Sequence, residues 1–167
     1  IIVTPAKEVP EAVEQCGRMG VQGVLIISAG FREVGEEGRE LEDQIDAIRR
    51  RYGLRVVGPN CLGFMRPSAA LNATFVNTMP EPGKIAFISH SGALGSAILD
   101  WAIEAGIGFS MFASLGSMLD VDFGDLIDYL GDDPETKSIM IYMEGVGHAK
   151  KFMSAARGFA RTKPIVV

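Results

Sequence analysis

Short apolar runs alternate with helical patterns almost throughout this 167-residue chain, and nothing else in it limits the fold so severely. Seven runs read as strands: Ile1 to Val3, Gly23 to Ile27, Arg55 to Val57, Lys84 to Ile88, Phe109 to Ala113, Ile139 to Met143 and Pro164 to Val167. Most are continuous rather than alternating, which is how strands covered on both faces of a parallel sheet read. Between them, Leu41, Ile45, Ile48 and Tyr52 form one apolar stripe on a helix predicted over Glu37 to Tyr52. Pro10 suits the first turn of another helix that stops near Gly17 to Gly20, and Gly106 suits a left-handed stop for the helix through Trp101. Strand and helix in alternation build βαβ units with right-handed crossovers, so the class is α/β around parallel sheet.

One segment breaks the rhythm. Gly58 to Gly83, "GPNCLGFMRPSAALNATFVNTMPEPG", is rich in Pro, Gly and Asn without sustained periodicity, and reads as an ordered connector. The boundary is expected near Pro80 to Gly83, dividing a first unit, 1–80 with its connector, from a second, 81–167. Both ends of the chain are strand-like and there is no initiator Met, so a piece of a longer polypeptide is expected.

Composition excludes several classes of function. No apolar run approaches the roughly 18 residues of a membrane span. A formal charge of −5 argues against a general grip on nucleic acid, and the one basic run, Arg49 to Arg51, falls at a helix end where cations suit the dipole. Cys16 and Cys61 lie 45 positions apart with no partner at metal-ligand spacing, so an intracellular, cytoplasmic setting is expected and no metal site.

In open parallel sheets, ligands bind beyond the carboxyl ends of the strands. Three such ends carry polar loops: Ser89-His90-Ser91-Gly92, Ser114-Leu115-Gly116-Ser117 and Glu144-Gly145-Val146-Gly147. They are expected to crowd one edge of the second unit. Ser89 or Ser91 can cap the helix that follows, and Gly92 would allow close backbone approach. The same helix start could receive phosphate, and spacing alone leaves capping and anion binding both open. Gly-x-Ser-x-Gly is missing, because Phe87 or Ser89 stands where its first glycine would be, and neither a P-loop nor Gly-x-Gly-x-x-Gly is present. Glu144, at a strand end, is expected to be partly buried near an anion site. His148 reads as a surface residue opening a helix, while His90 could contact ligand or bond locally. Asp120, Asp122, Asp125 and Asp128 lack the spacing of a calcium loop and read as helix capping plus a solvated face.

Taken in order, "VGPNCLGF", "GKIAFISHSGALGSAILDWAIEAGIGFS", "DVDFGDLIDYLGDDPETKSIMIYMEG" and "KPIVV" resemble the nucleoside-diphosphate-forming acyl-CoA synthetases, a superfamily that includes ADP-forming acetyl-CoA synthetase and the α subunit of succinyl-CoA synthetase. The resemblance covers essentially the whole chain. It implies the C-terminal half of a Rossmann-like CoA-binding domain followed by a truncated flavodoxin-like domain. CoA contact is implied at Ile27, Ser28 and Ala29, phosphate binding at Ser89, His90, Ser91 and Gly92, the acyl substrate at Ser96, and reception of a phosphorylated histidine at Glu144. The implied reaction interconverts acyl-CoA, phosphate and ADP with acid, CoA and ATP through an acyl phosphate and a phosphohistidine. It also implies a CoA thioester and phosphate as substrates, ATP or ADP with Mg2+ on a separate ATP-grasp domain or β subunit, and an oligomer.

Two departures from the family pattern stand out. Family members usually carry Gln where this chain has His90. The phosphorylated histidine lies beyond a segment like Lys163 to Val167, and neither His90 nor His148 matches it, so the piece alone is expected not to turn over. Other readings are a ligand-sensing module of a fused protein acetyltransferase and a generic nucleotide-binding regulatory domain.

Overall fold

A computed structural model describes every residue, Ile1 to Val167. In the first unit, strand β1 (Gly23–Leu25) pairs in parallel with β2 (Arg55–Val57), and Ile2 bridges Ile26 in parallel. The strand expected over Ile1 to Val3 is thus reduced to a single bridge. Helix α1 (Val9–Arg18) has Pro10 in its first turn, where a missing N–H costs nothing. Helix α2 (Glu36–Tyr52) ends on Gly53 at φ 70°, with Arg49, Arg50 and Arg51 in its last turn. Ile45 of its stripe is wholly buried with Val9, Val13, Ile26, Phe31, Leu54 and Val56, and Leu41 and Ile48 pack against them. Tyr52 closes the stripe at its exposed end, with its ring over Gly17 of α1 and its hydroxyl donating to Glu14 at 2.7 Å.

The second unit is a six-stranded sheet in the order β4-β3-β6-β5-β7-β8. Its strands are β3 (Gly63–Arg66), β4 (Leu71–Thr74), β5 (Pro82–Ser89), β6 (Phe109–Ser114), β7 (Ser138–Tyr142) and β8 (Ile165–Val166). Between them run α3 (Gly92–Glu104), α4 (Phe123–Asp132) and α5 (Ala149–Phe159). Strands β5 to β8 are parallel, while β3 pairs antiparallel with both β4 and β6. The stretch read as a connector is therefore partly a hairpin, and it belongs to the second sheet. Its strands are short and interrupted by Pro67 and a left-handed Ala70, so no period of two builds up in sequence.

Burial on both faces explains the continuous apolar runs of β5 and β6, whereas β7 buries one face and leaves Met140 and Tyr142 of the other exposed. Ala86 and Ile88 of β5 join Met111, Ala113, Ile139 and Ile141 against Phe123, Ile127, Leu130, Ala155 and Phe159 of α4 and α5. Phe87 points the other way, into Phe109, Phe112, Leu99 and Ala102 under α3, with its ring 5.3 Å from Phe112. No helix is long and apolar enough to cross a membrane.

The two units are joined by the chain after β6. Ser117 N–H donates to the Pro59 carbonyl (2.9 Å), Leu119 N–H to Gly58 (3.1 Å) and Val121 N–H to Val56 (3.0 Å). Asp120 accepts from Val56 N–H and Arg55 Nε, each at 2.9 Å, and lies 3.3 Å from Arg49. Asp122 caps α4 in a reciprocal capping box with Asp125, and both carboxylates pair with Lys151. Asp122 is thus the expected helix cap, but Asp120 and Asp125 are tied up in ion pairs rather than solvated, and Asp128 alone of the four is exposed.

Candidate active site

The carboxyl ends of β5, β6 and β7 fall level, with Ser89 in register with both Ser114 and Tyr142. Their loops meet the end of β1 across an open cleft of about 830 Å³. His90, Ser91, Gly92, Ser96 and Glu144 line it from the second unit, and Ile27 and Ala29 from the first.

Helix α3 starts at this cleft because Ser91 takes an extended conformation and its Oγ accepts from Leu94 N–H at 3.2 Å. The Ser91 carbonyl accepts from Gly95 N–H. The amides of Gly92 and Ala93 then have no protein acceptor, and both residues line the cleft. Capping and anion binding are thus compatible: the cap satisfies one donor and leaves two at the positive end of a 13-residue helix. Gly92 is not required by packing. A Cβ there would lie 3.6 Å from Leu62, an ordinary contact, so close backbone approach is not its role.

Two expected contacts fall outside the cleft. Ser89 is fully buried and its hydroxyl donates to the Ser91 carbonyl at 2.8 Å, bracing the bend rather than facing ligand. Ser28 donates to the Thr4 carbonyl at 2.6 Å, because its side chain points away from the strand end that its neighbours Ile27 and Ala29 line. Ser96 lines the cleft with its hydroxyl bonded to the Ala93 carbonyl at 2.9 Å.

Glu144 is exposed, not partly buried as expected, because β7 ends at Tyr142 and the loop turns out to solvent. Its backbone N–H donates to His90 Nδ1 at 3.2 Å. The His90 ring stands edge-on to Phe123, 5.2 Å between centroids at 90°. Burial lowers the imidazole pKa below its ordinary 6.5, and the negative field of Glu144 raises it by less. His148 is exposed at the start of α5.

Several lining residues escaped sequence reasoning. Arg32 is the cleft's one Arg or Lys, and buried Glu42 orients it by accepting from its Nε (2.5 Å) and its backbone N–H (3.3 Å). Glu33 accepts from Gly30 N–H at 2.6 Å. Burial raises its pKa, but the amides of Gly30, Glu33 and Phe31 lower it by more. Asn60, Leu62 and Phe75 come from the former connector, where nothing marked them individually, and Cys61 from the same stretch was weighed there only as a disulfide or metal partner. Cys61 donates to the Ile26 carbonyl at 3.3 Å and burial pushes its thiol to about 12, so it is an inert wall rather than a nucleophile. Gly116 and Ser117 belong to a strand end that the sequence had marked.

Ile27, Ala29 and Leu62 give the cleft apolar surface, Asn60 and Ser117 give it amide and hydroxyl groups, and Arg32 supplies a cation.

Known proteins carry the same plan. A family model described as "CoA binding domain" matches residues 1–67, and one described as "Succinyl-CoA ligase like flavodoxin domain" matches 82–167. The acetate–CoA ligase (ADP-forming) I of Archaeoglobus fulgidus is 51% identical over all of this chain, which spans 24% of that protein. The α subunit of the acetate–CoA ligase (ADP-forming) II of Pyrococcus furiosus is 47% identical over 99% of the chain, which spans 36% of that subunit. A dinucleotide-forming acetyl-coenzyme A synthetase 1 of Ca. Korarchaeum cryptofilum, solved with phosphate and ADP, superposes with a TM-score of 0.92 at 39% identity, over 98% of this chain and 35% of that one. With residues 82–167, more than half of the chain, matched from the start of β5 onward, the chain belongs to the succinyl-CoA ligase like flavodoxin domain family, and its residues 1–67 match a CoA binding domain.

Proposed function

We propose that this chain is the part of an ADP-forming acyl-CoA synthetase in which acyl-CoA meets phosphate. One observation carries the reading: the free amides of Gly92 and Ala93, the Glu144 loop and the Ile27–Ala29 strand end of the CoA-binding unit share one cleft. Phosphate oxygen attacks the thioester carbonyl, the carbon–sulfur bond breaks, and acyl phosphate and the CoA thiolate result. The α3 start stabilises the phosphate's charge through fixed N–H donors, which need no reorganisation as the reaction proceeds. His90 and Ser91 complete that anion site, and Ser96 faces the acyl group. Ile27 and Ala29, with Ser28 behind them, shape the CoA wall. A histidine outside this chain then takes the phosphoryl group, and the exposed carboxylate of Glu144 is free to hold that imidazole's N–H and favour its positive charge. ATP or ADP with Mg2+ belongs to an ATP-grasp domain or β subunit in an oligomeric, cytoplasmic enzyme. The relatives named above are acetate–CoA ligases, which favours this reading over an acetyltransferase sensing module.

The test is acid-, CoA- and ATP-dependent thioester formation by the complete protein. In that enzyme Glu144→Gln is expected to slow phosphohistidine formation about 10²-fold while CoA affinity stays within twofold. An unchanged rate of histidine phosphorylation would remove the role given to Glu144, and absence of thioester formation with any carboxylic acid would overturn the reading itself.

A further inference from the structure

His90 sits between the two halves of the site. Its backbone N–H donates to the Tyr142 carbonyl at 3.0 Å, its Nδ1 accepts from Glu144 N–H, and Phe123 supports the ring from the side of α4. A backbone amide can only donate, so Nδ1 carries a lone pair and the proton is on Nε2. Nε2 has no protein acceptor and is not among the buried unpartnered atoms, so its N–H is open to solvent in a residue that lines the cleft. We propose that neutral His90 is the positioning residue of this site, holding the Glu144 loop by its Nδ1 lone pair while presenting Nε2–H to the bound phosphate.

The inference rests on the synthetase reading for its ligand but not for its geometry. An imidazolium would place an N–H donor at Nδ1 against the Glu144 amide, two donors facing each other, and the bond that seats the loop would break. The neutral ring is therefore the working form. The charged groups around it are consistent with that. Glu144 is the carboxylate whose field reaches the ring. On α4, Asp122 and Asp125 are both paired with Lys151, and the first turn of α3 carries no acidic residue. Ser117, from the β6 end, is uncharged, and Arg32 and Glu33 stand on the first unit's side with partners of their own. Burial disfavours the cation in the same sense, holding the ring's pKa below the ordinary imidazole value.

The experiment uses the complete enzyme as wild type, His90→Gln and His90→Leu. Gln offers an acceptor and a donor from one fork, so it can serve both the Glu144 amide and the phosphate, but it does not titrate. Wild-type turnover is expected to fall as pH drops below 6.5, and the turnover of His90→Gln to lose that acid limb. His90→Leu is expected to lose about 10²-fold in kcat with KM for CoA within twofold, which also shows that it folds. Nitrogen NMR of the His90 ring, assigned by its loss in His90→Gln, is expected to show bare Nδ1 and protonated Nε2 at pH 7.5. An acid limb that survives in His90→Gln, or a protonated Nδ1, overturns the proposal. If the wild type makes no thioester, the synthetase reading fails and the NMR result alone decides the positioning role.

Discussion

Gly116 and Gly92 line the same cleft and answer to different demands. Gly116 has φ 56°, and a Cβ on it would overlap the carbonyl oxygens of Pro59 and Asn60. Gly116→Ala is expected to cost about 2–3 kcal/mol by denaturant titration, since strain and overlap add. Gly92 opens a helix with ordinary space around it, so Gly92→Ala is expected to change stability by less than about 1 kcal/mol while weakening phosphate binding, measured by calorimetry on the complete enzyme. Equal stability losses would contradict the difference in environment. Residue type alone could not have separated these two glycines, nor Ser89 from Ser91. Both serines can cap, but β5 turns Ser89 inward, and only then does its hydroxyl become a brace.

The helices are tuned at their ends by side chains that were legible as types and ambiguous as roles. The "DVDFGD" stretch resembles a metal loop until α4 forms, when Asp122 and Asp125 satisfy each other's backbone and share Lys151. Burial raises the Asp125 pKa, but Lys151, Asp122 N–H and Arg55 lower it by more, to a net value below the ordinary 3.8. A depressed carboxylate contributes stability that is present above its unfolded pKa and lost as pH falls through the folded one. Wild-type stability from this group is therefore expected to hold down to pH 3.8 and decline below it. In Lys151→Met the Asp125 carboxyl is expected to titrate closer to 3.8, with acid unfolding beginning at higher pH; an unmoved carboxyl shift in NMR would show that Lys151 is not its anchor. The stripe of α2 and the glycine stop after α3 were readable in advance, because period and left-handed caps are local properties.

At the scale of the molecule, the hairpin of β3 and β4 decides where the second unit begins. Met65 is fully buried, Leu62 nearly so, and both pack with Phe87, Leu99 and Phe112, while β3 covers the edge of β6. A chain starting at Glu81 would lose both side chains, each worth about 2–5 kcal/mol in a core, from a domain whose total stability is about 5–15 kcal/mol. It is expected to aggregate on gel filtration, whereas one starting at Asn60 is expected to run as a compact monomer with a cooperative melt. Equal behaviour of the two pieces would return the boundary to the segment near Pro80. The sequence by itself determined the α/β class, the strand ends that carry polar loops and the family resemblance, because burial on both sheet faces and helix capping write local patterns into the chain. Only the tertiary structure decided which of those loop residues share the cleft, that Arg32 and Phe75 join them, and that Glu144 stands exposed with its amide on His90. These depend on contacts between residues tens of positions apart, whose register and side-chain direction no local pattern encodes.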